Sequence, residues 1–353
     1  SIYQVMPVGV FVPKTADEVG LALDICRDLD VPIVARGGGT SQCGQTVGTG
    51  LVIDHSKHVR RLLEVDVDNA TATVEPGMVL DHLNAELKKH NLWFPVDVST
   101  SGQATLGGMA GNNSCGSRSI AYGNMVHNVL GAQAWLSDGS LLDWGPYAQS
   151  MGRARDIGDH LRQLAHRLAP DIEAHFPKVL RRVAGYNLDI FNNQNPRPYT
   201  SDGSVNLAHL LIGSEGTLAL TRQLKLKLSP LPRTKVLGVV NFPSFHQAMD
   251  AAQHIVKLGA PGQLMAVELV DRTMIDLSLK NPAFAPTVRT ALIGEPEAVL
   301  LVEFAGQAKA DIEPLLDQLE ELMGDLGLPK SVDRKSTRLN SSHIPLSRMP
   351  SSA

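Results

Sequence analysis

The connection between the apolar runs "VPIVA" and "GLVID" constrains this chain more than any other stretch; it reads "RGGGTSQCGQTVGT", from Arg36 to Thr49. Strands are predicted on both sides, and no amphipathic helix separates them. Glycine allows positive φ and close backbone approach, so the loop suits a tight turn or a ligand-binding wall. Gly39 and Gly44 have the separation of a P-loop, but Gln45 stands where that motif requires lysine. Without the ammonium nothing reaches the outer phosphates, which excludes nucleoside triphosphate hydrolysis. The Rossmann fingerprint also fails, because Gly37 and Gly39 are followed by Gln42 in place of the third glycine. Successive backbone N–H groups can still form an anion-binding nest, reinforced by Thr40, Ser41 and Arg36. Taken alone, the loop is equally compatible with an ordinary surface turn.

Composition narrows the classes. A chain of 353 residues, 43% hydrophobic and 19% charged, has ample core and suggests two domains. The net charge of −4 and the lack of a basic face argue against a nucleic-acid partner. Cys26, Cys43 and Cys115 are isolated, which fits a reducing compartment and supplies no iron–sulfur or zinc ligand set. Apolar runs such as "AVLLVEFAG" are too short to span a bilayer. The chain opens at Ser1 without methionine or a secretory signal, which reads as a truncated start.

Periodicity gives the elements. "TADEVGLALDICRDLD" predicts a helix with a Thr15/Glu18 capping box and one face of Val19, Ala22, Leu23, Cys26 and Leu29. Two strands follow around Asp68-Asn69, then a helix with Leu80, Leu83 and Leu87. "VLGAQAWLSDGSLLDW" is a hairpin with Asp138-Gly139 in its turn, and helical patterns fill 156 to 184. Leu218, Leu220, Leu224, Leu226 and Leu228 share one face of a strand that follows a turn at Gly213 to Thr217. Past "SPLPRTK" come strand "VLGVVNF", a helix capped by Ser244 and Gln247, strands "MAVELV" and "AVLLVEF", and helix "DIEPLLDQLEELM". The serine-rich tail has no period, reads as disordered and resembles adapter-derived read-through of non-native origin.

Between Pro95 and Val129 the chain is dense in Gly, Ser and Asn, nearly free of charge, and without a sustained period. Unstructured loops longer than about 12–15 residues are uncommon in compact domains and are usually functional or disordered. Leu106, Met109, Ile120, Tyr122, Met125 and Val129 argue against disorder and for a folded wall built of backbone.

Three glycine-rich segments in this order, "PIVARGGGTSQCG", "STSGQATLGGMAGNNSCGSRSIAYGNMVHNVLG" and "AGYNLD…LLIGSEGTLAL", resemble the FAD-linked oxidases with a PCMH-type flavin domain, the vanillyl-alcohol oxidase superfamily. The similar branch is that of the glycolate, D-lactate and D-2-hydroxyglutarate dehydrogenases. The resemblance covers residues 1–330 and implies an α+β fold: a two-subdomain FAD-binding domain at 1–230, a partial ferredoxin-like cap at 231–330, and a tail at 331–353. It also implies that the first loop wraps the FAD diphosphate through Arg36, Gly37, Gly38, Gly39, Thr40, Ser41 and Gly44. Ser99, Thr105, Gly107, Gly108, Asn112, Ser114, Ser117, Tyr122 and Gly123 would follow the cofactor toward its ring, with Val129 near the adenine and Gly213, Glu215 and Gly216 beside the flavin.

The implied reaction is oxidation of a 2-hydroxy acid, with electrons passed to a quinone, cytochrome or iron–sulfur acceptor. A sugar or aldonolactone oxidase and a flavin-binding electron-transfer subunit are the alternatives. Relatives that attach flavin covalently often carry histidine in the first loop; Thr40 stands there, so noncovalent FAD is expected. The His-rich metal motif and cysteine-rich iron–sulfur domain of long relatives are missing, so metal and cluster are expected only beyond this chain, and weak turnover within it. Catalytic residues stay unassigned. Arg182, Tyr186 and Asn187 are substrate-side candidates, against the reading that Tyr186 and Asn187 end a helix; His127 is read as a structural hydrogen-bonding group. The expected location is the cytoplasm, or the periphery of the inner membrane.

Overall fold

A computed structural model describes residues 3–192 and 197–335. The chain divides into two units: Ser1–Gly116 with Gly123–Leu231, and Ser117–Tyr122 with the chain from Pro232 onward.

The first unit begins with β1 (Gly9–Phe11), α1 (Ala16–Asp28), β2 (Ile33–Arg36) and β3 (Leu51–Asp54). The three strands form a parallel sheet in the order β1-β3-β2. Parallel neighbours need a crossover of about a dozen residues or more, usually a helix. Here the glycine-rich loop is the whole crossover. Helix α1 is capped by Thr15 Oγ1, which accepts from Glu18 N, while Glu18 Oε2 accepts from Lys14 N at 2.7 Å. The return bond of the expected capping box thus falls one residue upstream. Val19, Ala22, Leu23 and Cys26 are buried, but Leu29, at the C-cap, has left the helical face and is 69% exposed.

The unit continues through β4 (Leu62–Asp66), β5 (Thr71–Val74), α2 (Leu80–Leu87), β6 (Leu92–Trp93) and α3 (Leu106–Asn112). After α4 (Ser119–Tyr122), which groups with the second unit, come β7 (Val129–Trp135), β8 (Leu141–Trp144), α5 (Gly152–Arg167), α6 (Ala169–His175), β9 (Leu220–Lys227) and β10 (Ser229–Pro230). Strands β4-β5-β9-β7-β8 make an antiparallel sheet, and β10 pairs with β6. Leu220, Leu224, Leu226 and Leu228 are buried as the alternation requires, whereas Leu218 precedes the strand and is exposed. Leu80, Leu83, Leu87, Leu106 and Met109 of α2 and α3 join Val74, Leu224 and Leu226 in one core. The helical pattern expected over 156 to 184 starts earlier and stops at His175. Phe176 is extended because Pro177 follows, and a residue before proline is pushed out of the helical region.

The second unit contains β11 (Thr234–Phe242), α7 (Phe245–Ile255), β12 (Leu264–Asp271), α8 (Arg272–Lys280), α9 (Ala285–Arg289), β13 (Ala298–Gly306), α10 (Lys309–Asp325) and β14 (Val332–Lys335). Its sheet is antiparallel in the order β12-β13-β11-β14. That is the ferredoxin-like split βαβ order, with all four strands among the described residues. The near-continuous apolar runs of β11 and β13 arise because both faces are covered. Val236, Val240, Leu300 and Val302 meet α7 and α10, while Leu237, Val239, Val299 and Leu301 meet Ile275 of α8. The tail expected from residue 331 therefore begins with an ordered strand, held by pairing such as Val240↔Val332. The remainder of that expectation, 336–353, lies outside the described residues. No helix among the described residues is long and apolar enough to cross a membrane.

Two histidines of the first unit, His209 buried and His127 half-buried, lie beside Tyr199, which meets both rings edge-on. Burial lowers each from 6.5 to about 4, and for His127 the nearby Arg197 adds to it. Both are neutral when folded, so the unfolded chain binds more protons between these values. Stability is then fully present above about pH 6.5, falls as the pH drops toward 4, and changes no further through these groups below that. Denaturant midpoints measured across this window should fall steadily, and His209→Gln should flatten the profile.

Candidate functional site

Three turns close on one another in the first unit and enclose a cleft of about 440 Å³. The first is the crossover loop after β2. Gly37 and Gly38 are required there by packing: a Cβ on Gly37 would lie 2.0 Å from Thr105 Oγ1, and one on Gly38 would lie 2.2 Å from the Gln103 carbonyl oxygen. Gly39 has φ +65°, and its missing side chain makes room for the Arg36 guanidinium. The second turn leads into α3, where Thr105 is the N-cap and Asn113, at φ 51°, the left-handed C-cap. The third turn is fixed to α3 by Gly213 N and Glu215 N, which donate to the carbonyls of Ala110 and Gly111 at 2.9 Å each. Gly213, Glu215 and Gly216 all have positive φ. Gln45 Nε2 donates to Glu215 Oε1 at 3.4 Å, tying the first turn to the third.

The electrostatics of the cleft are set by donors without partners. Among the described residues, the backbone N–H groups of Gly37, Gly38, Gly39, Thr40 and Ser41 donate to no protein acceptor. The Arg36 guanidinium has no carboxylate partner there either. Gly38 is exposed and its neighbours Gly37, Gly39, Thr40 and Ser41 are half-buried, so these amides are open to solvent and to a ligand. Successive amides of this kind beside a cation have the arrangement of an anion-binding nest. The first amides of α3 are not part of it: Leu106 N donates to Met78 O, Gly107 N to Pro76 O and Gly108 N to Thr105 Oγ1.

Of the residues singled out from sequence, Arg36, Gly37, Gly38, Gly39, Thr40, Ser41, Ser99, Thr105, Gly107, Gly108, Asn112, Ser114, Glu215 and Gly216 line this one cleft. Gly213 supports the third turn from behind it. Gly44 adopts φ +88° beside Tyr3, and Gly123 adopts φ +75° because a Cβ would meet His127; neither lines the cleft. Val129 is core, 1% exposed at the start of β7, and Ser117 and Tyr122 belong to the second unit. Arg182 and Asn187 are buried outside the lining. Arg182 NH2 donates to Asp189 Oδ1 at 2.6 Å and to Asn187 Oδ1 at 2.9 Å, and Asn187 Nδ2 donates to the carbonyls of His209 and Ile212. Tyr186 is exposed and bonds Thr217 Oγ1. His55, Pro76, Gln42, Cys43, Gln45, Thr46, Val98 and Cys115 line the cleft as well, and the sequence assigned none of them to the cofactor. Burial pushes the Cys115 thiol up, which keeps it protonated.

Comparison with known proteins decides the family. Residues 7–145 match the model of the FAD binding domain, and residues 231–341 match that of the FAD linked oxidases, C-terminal domain. The chain belongs to the FAD-linked oxidases. It is 32% identical over 334 residues to a D-2-hydroxyglutarate dehydrogenase of Pantoea ananatis, covering 90% of this chain and 32% of that relative. It is 29% identical to a glycolate oxidase subunit of Bacillus subtilis, covering 91% and 56% of the two chains. The chain thus spans about a third of the length of the D-2-hydroxyglutarate dehydrogenases it matches. A solved alkyldihydroxyacetonephosphate synthase superimposes with TM-score 0.66 at 17% identity, over 96% of this chain and 55% of that one, and shares the fold.

FAD is the cofactor of such a domain, and the residues present fit it: unpaired amides and a cation for a diphosphate, in a cradle that side chains at Gly37 and Gly38 would fill. Gly38→Val should displace the loop from Gln103 and abolish flavin retention, as read from the visible spectrum, while Gly145→Ala, whose Cβ meets nothing within 4 Å, should retain it. The Arg182 network makes a different prediction. Removing one partner of a buried ion pair costs roughly 3–5 kcal/mol. Arg182→Leu should lower the unfolding free energy by about that much in a denaturant titration, and Tyr186→Phe should leave it unchanged.

Proposed function

We propose that this chain is the flavin-binding part of an enzyme that oxidises a D-2-hydroxy acid. The observation that carries the reading is the interlocked cleft, with unpaired amides at Gly37–Ser41 on one wall and the Gly213–Gly216 turn on another. The matched relatives supply the substrate class. Their names share one chemical group, a hydroxyl beside a carboxylate, in 2-hydroxyglutarate, glycolate and lactate.

Bound FAD would supply a hydride acceptor for the hydroxyl-bearing carbon, the hydroxyl proton leaving to a base as the carbonyl forms. The chain's own residues bind and orient. The amides of Gly37 to Ser41 and the Arg36 guanidinium would hold the diphosphate, with Thr40 and Ser41 hydroxyls beside them. Ser99, Asn112, Ser114 and Thr105 present polar side chains along the wall that leads away from the first loop. Glu215, anchored by Gln45 and by its own amide, keeps the third turn in its left-handed course. Thr40 stands where covalently flavinylated relatives carry histidine, so the flavin is held without a covalent bond. Residues 231–330 form the cap-type domain of this assignment, following a flavin domain at 1–230. Electrons leave for a quinone, cytochrome or iron–sulfur acceptor, and the protein works in the cytoplasm or at the inner membrane's periphery.

Acid or heat should release all the yellow chromophore into the supernatant. Anaerobic addition of D-2-hydroxyglutarate, D-lactate or glycolate should then bleach the visible band of the holoprotein, slowly in keeping with the weak turnover expected of these 353 residues, with L-2-hydroxy acids ineffective. Bleaching by dithionite but by no 2-hydroxy acid would remove the substrate assignment and leave flavin binding intact.

A further inference from the structure

His55 is the first residue after β3, at the carboxyl end of a strand whose neighbour β2 runs directly into the glycine loop. Its amide donates to the Arg36 carbonyl at 3.1 Å, so its backbone is locked to the residue that opens the loop. The side chain is 5% exposed and forms part of the cleft wall. Its Nε2 is buried and has no hydrogen-bond partner among the described residues. The ring interacts with the backbone of Arg36 and Ile53, which leaves Nε2 as its unpaired atom, and the two carboxylates nearest in charge effect are engaged elsewhere. Asp54 Oδ1 accepts from Ser56 N, and Glu75 accepts from Arg61 through its backbone N–H and its guanidinium.

An uncompensated polar atom in a low-dielectric interior destabilises the state that contains it, and exceptions in a native fold need an explanation. The cleft supplies one. Ligands of parallel sheets bind outside the carboxyl ends of the strands, which is where Arg36, the unpaired amides and His55 converge. Building on the assignment of this loop to FAD, we propose that His55 is a ligand of the bound dinucleotide, hydrogen-bonding its ribose–diphosphate portion. A neutral imidazole brings one N–H and one lone pair, a match for a phosphate oxygen or a ribose hydroxyl. Burial lowers the histidine's affinity for protons, in keeping with the neutral form.

The two states of the cleft respond differently to removal of this ring. Without cofactor, His55→Leu removes the unpaired Nε2 together with the ring's interaction with the Arg36 and Ile53 backbone, so it should unfold close to the temperature of the wild-type apoprotein. With cofactor the same change deletes a hydrogen bond, and FAD affinity should fall about tenfold. Calorimetric titration of wild type, His55→Leu and His55→Asn with FAD and with ADP tests this. ADP carries the diphosphate and a ribose but no flavin, and should weaken in parallel with FAD; Asn should restore part of both affinities. Unchanged FAD affinity in His55→Leu overturns the proposal, as does a loss that tracks a destabilised apoprotein. Weakened FAD with unchanged ADP moves the contact off the ribose–diphosphate and overturns it too. Wild-type protein that takes up neither FAD nor ADP overturns the flavin reading itself.

Discussion

Backbone-to-backbone approach between the loop after β2 and the segment before α3 is the constraint on which the rest of this structure depends. At Gly38 the approach leaves 2.2 Å between a hypothetical Cβ and the Gln103 carbonyl oxygen, and at Gly37 it leaves 2.0 Å to the Thr105 hydroxyl. No other amino acid fits at Gly38 without moving one of the two segments, and at Gly37 a side chain would force Thr105 to turn away or the loop to shift. The contact explains why a parallel pair of strands is joined with no helix between them. A helix between β2 and β3 would occupy the space in which the loop lies against Gln103 and Thr105. The loop instead forms a wall whose amides from Gly37 to Ser41 have no acceptor among the described residues.

The second and third turns make this wall rigid. Thr105 caps α3 and also limits Gly37, so one side chain sets both the helix start and the loop's position. Glu215 is joined to Gly111 by its amide and to Gln45 by its carboxylate. Three segments distant in sequence are thereby fixed relative to one another by short contacts, while the two cores around α1 and around α2 and α3 hold their ends. Such a site is built for an elongated ligand: its contacts come from many small groups along a wall rather than from a few long side chains.

How much of this the sequence disclosed depends on the kind of signal. Alternation in "LALTRQLKLKL" and the Asp138-Gly139 turn report on local geometry and are legible, as are the leucines of α2. Helix α3 was not. It contains Gly107, Gly108 and Gly111, which lower helix propensity, and it is held by Thr105, Asn113 and the burial of Leu106, Met109 and Ala110. Tertiary context overrides propensity there. In the site, the triple glycine pointed to residues that do line the cleft. His55 carried no pattern at all, since a single histidine becomes informative only once its place at a strand's carboxyl end and its unpaired nitrogen are seen.

Glycine identity, then, is weak testimony about ligand contact, and the amides discriminate better. Gly107 and Gly38 both line the cleft and both exclude a side chain for steric reasons, against Pro76 and Gln103 respectively. Yet Gly107 N already donates to Pro76 O, whereas Gly38 N has no acceptor among the described residues. The same test separates the polar residues. Arg182 is a buried cation whose hydrogen bonds go to Asp189, Asn187 and Tyr199, and that pairing accounts for its burial without any substrate. Arg36 and His55 lie beside the loop with groups the fold leaves unpaired. In a cleft of this kind the residues that await a ligand are those whose hydrogen-bonding capacity the protein has declined to use.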